Sequence, residues 1–154
     1  MFLFDELFKF RLQFARLKAG KPVMIRNVRV TPFRTTHLDR LRERFRKKYR
    51  GDFSAHCLLL ESGGVRIGHS ADLGRPEDLE PLLANPLDLL VCELAHFSPA
   101  TIFRYLRGRA IRQVVFVHLS SPAWENPGQT RRLAVKLLPD IPHRFARDGE
   151  VIRI

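Results

Sequence analysis

The sequence predicts a layered α/β domain, a mixed sheet with flanking helices. Three observations carry that expectation. After residue 65 the pattern alternates strand, helix, strand, helix, strand, the order that lays helices onto a sheet. The apolar runs at 87–93 and 114–117 have the character of strands covered on both faces, as in parallel or mixed sheets. Upstream, two strand-like segments flank Ser62-Gly63-Gly64, a hairpin signal.

Taken in order, residues 2–18 read as an amphipathic helix. Leu3, Leu7, Phe10, Phe14 and Leu17 recur at alternating four- and three-residue steps, and Gly20 follows as a stop. Phe4 and Phe8 widen the apolar stripe beyond what a surface helix needs. With Asp5, Glu6, Lys9, Arg11 and Arg16 interspersed, packing is expected rather than membrane binding. Residues 1–20 are therefore expected to continue a missing N-terminal half, and 21–154 to form the main body.

Residues 23–33 alternate through Ile25, Val28 and Val30 and read as one or two strands, with a turn at Asn27. A basic amphipathic segment follows, marked by Leu38, Leu41, Phe45 and Tyr49. Residues 53–61 and 65–70 make the hairpin, and 76–83 a short helix with Pro in its first turn and acids near its start. Residues 99–107 read as a helix closed by Gly108, and 111–119 as a buried strand. A loop containing Trp124 and Pro127 leads to a helix at 129–138. Two short strands, 143–147 and 151–154, are expected to close the chain across Asp148-Gly149.

At 154 residues, 45% hydrophobic and 28% charged, the chain is long enough for one core without disulfide help. No apolar run approaches the roughly 20 residues that cross a bilayer. The first residues lack a basic start and a small-residue cleavage site, so a cytoplasmic protein with no membrane partner is expected. Cys57 and Cys92 sit in apolar strand-like surroundings and read as buried reduced thiols. The net charge is +11, and between Arg34 and Arg50 eight Lys/Arg stand against two acids. Such a segment is either a solvated helix face or an attraction for polyanions, nucleic acid foremost.

The chemistry gathers at strand ends. Val65-Arg-Ile-Gly-His-Ser-Ala-Asp72 runs from a strand through small residues to one carboxylate. Read alone, Asp72 either caps the helix after Pro76 or points into a crevice beyond the sheet. Two later strands finish similarly, one in Glu93 with His96 and one in His118, and His37 follows the strand at 23–33. His37 reads equally as a helix cap or as a ring fixed by the neighbouring threonine hydroxyls. Imidazoles with a carboxylate are the donor set that zinc, manganese or iron accepts, and two metals would share Asp72 as a bridge. His69 either lines the site or points to the hairpin's other face, His56 and His143 read as ordinary strand positions, and Cys92 reads as core rather than as a soft ligand.

These residues resemble the C-terminal half of a metallo-β-lactamase superfamily hydrolase over residues 21–154. The resemblance rests on Thr35-Thr36-His37, Ser70-Ala71-Asp72, Asp88-Leu-Leu-Val-Cys-Glu93-Leu-Ala-His96, Val117-His118-Leu-Ser-Ser and Arg147-Asp148-Gly149. It implies half of an αββα sandwich. It also implies two divalent metal ions, zinc foremost, with His37 and His118 as ligands of different metals and Asp72 between them. A metal-activated water would be the nucleophile, with Glu93 and His96 handling protons.

The pattern is most similar to the ribonuclease Z-like phosphodiesterases, which implies a phosphodiester-type substrate. The chain departs from the superfamily in having Ala71 where glycine is usual. It also lacks the His-x-His-x-Asp-His motif that supplies most ligands. A truncated hydrolase, inactive alone, is the expectation. The competing readings are a non-catalytic nucleic-acid-binding module and an interaction fragment, either a homodimer or a partner of the missing half.

Overall fold

The structure is a computed structural model and describes residues 9–10, 16–51 and 53–154. The helix expected over 2–18 lies for the most part outside the described residues. At its end, Lys18 and Lys21 form an antiparallel bridge around Gly20, whose φ of 71° is the left-handed conformation glycine adopts cheaply.

Among the described residues, seven strands form one sheet in sequential order. β1 (Val23–Ile25), β2 (Val28–Thr35), β3 (Ala55–Ser62) and β4 (Val65–His69) pair antiparallel in succession. β5 (Leu89–Leu94), β6 (Val114–Leu119) and β7 (His143–Phe145) then add in parallel. α1 (Asp39–Phe45) lies between β2 and β3. The three parallel steps are bridged by helices. A 3₁₀ turn (Pro76–Leu79) continues into α2 (Glu80–Leu83), then comes α3 (Pro99–Leu106), then α4 (Ser121–Glu125) with α5 (Pro127–Leu137).

Parallel crossovers share one hand, so three of them stepping the same way across a sheet carry their helices to the same face. The buried cluster agrees. Cys57 and Leu59, Leu90, Cys92 and Leu94, and Val114 and Phe116 alternate inward from β3, β5 and β6. They meet Leu79 and Leu82, Ile102, Phe103 and Leu106 of α3, and Ala134 of α5. Phe103 and Phe116 pack with ring centroids 5.0 Å apart. Each such burial is worth roughly 1.5–3 kcal/mol against exposure, and Phe103 as an anchor ties α3 to β6. Of the residues of the other parity, Leu58, Leu60, Ile67, Val91 and Val117 are half-buried and Leu89 and Val115 buried, and all stand outside the cluster.

The layered α/β architecture with its mixed sheet is as expected, and four local readings are corrected. Residues 151–154 form no strand: Val151 is exposed, and the Glu150 N–H bonds back to the Arg147 carbonyl at 3.0 Å. The Asp148-Gly149 turn is present, with Gly149 at φ 77°, but it closes on its own side chains rather than on a returning strand. The loop expected around Trp124 contains α4, whose Trp124 N–H donates to the Ser120 carbonyl. Helix 76–83 begins as a 3₁₀ turn. The basic segment is helical only over α1, which buries no residue.

Both cysteines are free and buried, as expected. Among the described residues no helix is long and apolar enough to cross a membrane. Direction is what positions the site. Two antiparallel pairings separate β2 from β4, and β4 through β7 run in parallel. The carboxyl ends of β2, β4, β5, β6 and β7 therefore share one rim, where α/β sheets hold their ligands.

Candidate metal centre

That rim carries His37 just past β2, Asp72 past β4, Glu93 within β5, His96 past β5 and His118 near the end of β6. The structure brings all five together. Asp72 is the hub: its Oδ2 lies 3.8 Å from His37 Nε2 and its Oδ1 3.7 Å from His118 Nε2. Each carboxylate oxygen thus faces a different imidazole, at more than hydrogen-bond distance. The His96 ring stands between the other two, with centroids 4.6 Å from His37 and 5.6 Å from His118.

Local backbone devices aim these groups. Asp72 is presented by Ala71, whose φ of 47° is unusual for a residue with a side chain. Two bonds hold it there: the Ala71 N–H donates to His69 Nδ1 at 3.0 Å, and Ser70 Oγ donates to the Ala71 carbonyl at 2.8 Å. His118 is turned by a bulge. Glu93 pairs with Val117 and Leu94 with Leu119, so His118 drops out of the ladder, and it too has a positive φ, 48°. An extra residue in one strand re-aims a side chain, and here the re-aimed side chain is an imidazole facing Asp72.

Two buried carboxylates fasten the loops. Glu93, 1% exposed, accepts from the Leu73 N–H at 2.9 Å through Oε1 and from the Ala95 and His96 N–H groups at 2.7 and 3.1 Å through Oε2. Its Oε1 also meets His96 Nδ1 at 2.9 Å. A carboxylate at Nδ1 selects the Nδ1-protonated ring and leaves Nε2 free for a ligand or a proton. One acid thereby orients His96 and anchors the segment after Asp72.

Asp78 does the same for His37. Its Oδ2 accepts from the backbone N–H groups of Thr36, Gly74 and Arg75 at 2.9, 2.9 and 3.2 Å, and Thr36 Oγ1 bonds it as well. Asp78, not Asp72, therefore bonds backbone N–H groups around the start of the 3₁₀ turn, which corrects the capping alternative for Asp72. Asp78 is the residue that reading the sequence missed; an acid near a helix start offers no sign that it clamps a loop some forty residues away. Gly74 completes the clamp. A Cβ there would stand 2.4 Å from the Thr36 carbonyl carbon and 2.6 Å from the His37 nitrogen.

The donor set suits a divalent transition metal. Three donor atoms, one each from His37, Asp72 and His96, lie within 4.8 Å of one another. Donors held about 2.1 Å from one ion are at most about 4.2 Å apart, so small rotations bring this trio to ligating distance. His118 approaches the other oxygen of Asp72. His96, expected only in proton handling, thus also stands among the donors.

No family model matches the sequence, and no curated relative is found. Solved structures do match. The metallo-β-lactamase fold protein YhfI from Bacillus subtilis superposes with a TM-score of 0.68 at 14% identity, over 88% of this chain and 54% of its own. A protein provisionally described as a metal-dependent hydrolase, from Parabacteroides distasonis, gives 0.57 at 15%, over 84% and 56%. Zinc-bound PqqB from Methylobacterium extorquens gives 0.55 at 15%, over 90% and 51%. The chain spans about half the length of each of these structures, and the likeness is one of fold: its seven-stranded mixed sheet and flanking helices are the architecture of metallo-β-lactamase fold proteins.

Proposed function

We propose that this chain supplies one rim of the metal centre of a metal-dependent hydrolase, acting on a phosphodiester-type substrate. The observation that supports it is Asp72, whose two oxygens each face a different imidazole. His37, Asp72 and His118 would hold the metal, zinc being the first candidate, with His96 as a further donor or as the proton carrier. When bound, such an ion supplies Lewis acidity, lowering the pKa of water and polarising a phosphoryl oxygen.

The chain's own residues do the rest. Glu93 keeps the His96 ring in one tautomer and one orientation, so that Nε2 can take a proton at the start of hydrolysis and return it to the leaving oxygen. Asp78 and Gly74 hold His37 against the Asp72 loop. Four donors shared between two ions fall short of the three or four per ion that stable zinc sites use. Further ligands would come from a second segment, as in a ribonuclease Z-like enzyme of which this chain is the C-terminal half.

Calorimetric titration of zinc into the chain, with Asp72→Asn and His118→Ala beside it, tests this reading. Weak but measurable binding that both variants lose is expected, together with little hydrolysis of a nitrophenyl phosphodiester. Equal zinc binding by all three proteins would defeat it. A second reading is favoured by α1, whose Arg40, Arg42 and Arg44 are exposed while the helix buries nothing. That surface would bind nucleic acid with an affinity that falls steeply with salt and ignores chelation.

A further inference from the structure

Next to His118 the sheet rim opens into a cavity of about 390 Å³. Its apolar wall includes Leu119, which directly follows His118, together with Trp124 of α4 and Phe145 of β7. Because β6 and β7 run in parallel, this hollow continues the same rim that bears the imidazoles. Its charged lining is Arg131, Arg147 and Asp148. Neither guanidinium has an ion pair or side-chain hydrogen bond among the described residues, and Asp148 pairs with neither. Arg144 close by is, in contrast, bonded to Glu150. Trp124 is 71% exposed, an uncommon state for so large an apolar surface.

We infer that this cavity binds an organic anion with a flat apolar body. The body would stack on Trp124 and fill the hollow against Leu119 and Phe145, and one acidic group would be met by Arg131 and Arg147. A hollow of this size admits a two-ring aromatic, since about 150 Å³ is enough for benzene. Two arginines without carboxylate partners favour an anion through charge-assisted bonds. The cavity would seat the non-reacting portion of a substrate whose scissile group lies at Asp72; that role rests on the hydrolase reading, whereas the binding itself does not.

The probe is naphthyl phosphate, titrated into the chain with EDTA present and followed by calorimetry. The indole N–H resonance of Trp124, the only tryptophan in the sequence, supplies the second readout. Naphthyl phosphate should bind and shift that resonance, and the variant carrying Arg131→Gln and Arg147→Gln should bind about tenfold more weakly or worse. Naphthylmethanol should bind the two proteins alike.

An unmoved indole signal would overturn the inference, as would binding indifferent to the arginine substitutions or equal affinity for inorganic phosphate. Asp72→Asn separates the two readings. Naphthyl phosphate binding that persists in that variant supports the cavity whatever the zinc titration returns. Its loss places the anion at Asp72 and overturns the cavity.

Discussion

His96 Nδ1 lies 2.9 Å from Oε1 of Glu93, a carboxylate that is 1% exposed and bonded to three backbone N–H groups besides. Glu93→Gln keeps the volume but turns two acceptor sites into donors facing donors. Zinc affinity should fall about 10–100-fold, with a loss of about 1–3 kcal/mol in stability from the frustrated bonds. Calorimetry and urea denaturation measure the two effects, and unchanged affinity would remove Glu93 from the centre.

Gly74→Ala asks whether close approach, rather than turn geometry, requires glycine. Thr36 Oγ1 is the nearest obstacle at 2.3 Å, and behind it stand backbone atoms of Thr36 and His37 at 2.4 and 2.6 Å, which cannot rotate away. We expect a loss of about 1–3 kcal/mol from overpacking, and weaker zinc binding because His37 must shift. Wild-type stability and affinity in this variant would count against the clamp.

Asp78→Ala leaves the Thr36, Gly74 and Arg75 N–H groups without their acceptor. About 2–4 kcal/mol of stability should be lost, read from the urea midpoint. The His37 imidazole resonances should broaden or move, while those of His118, held by the β6 bulge, stay in place.

Burial pushes the Cys57 thiol from 9.0 up to about 12, and desolvation raises Cys92 in the same direction. Neither should be alkylated by iodoacetamide near neutral pH without denaturant. Well below pH 9 both thiols are protonated whether the chain is folded or not. From there to about 12 the unfolded chain releases protons that the folded chain retains, so stability falls as pH rises. A Cys57→Ala variant should lose less Tm than wild type across that window; identical slopes would refute the assignment.

Much of this was legible in the sequence because strand termini are easy to read. Apolar runs ending in Asp72, Glu93 or His118 announce both a strand and the group at its tip. What escaped notice depends on contacts between distant segments. Asp78 is an ordinary acid near a helix start until the fold carries Thr36 to it. The bulge at His118 is a register event between two strands, invisible in either one. The 151–154 segment shows the opposite failure. A strong Asp-Gly turn ahead of Val151, Ile152 and Ile154 promises a strand, yet the turn binds its own Glu150 and the promise is not kept.

The direction of the strands has a practical corollary. The joints at 26–27, 63–64, 84–88, 107–113 and 138–142 all fall on the end of the sheet away from Asp72. Tags, fluorophores or inserted segments can be grafted at Gly63-Gly64, where no atom lies within 4 Å of either missing Cβ, with the imidazoles left undisturbed; Leu87, Ile111, Leu138 and Ile141 in the later joints are buried and are left alone. One end of this molecule is a workbench; the other is free for handles.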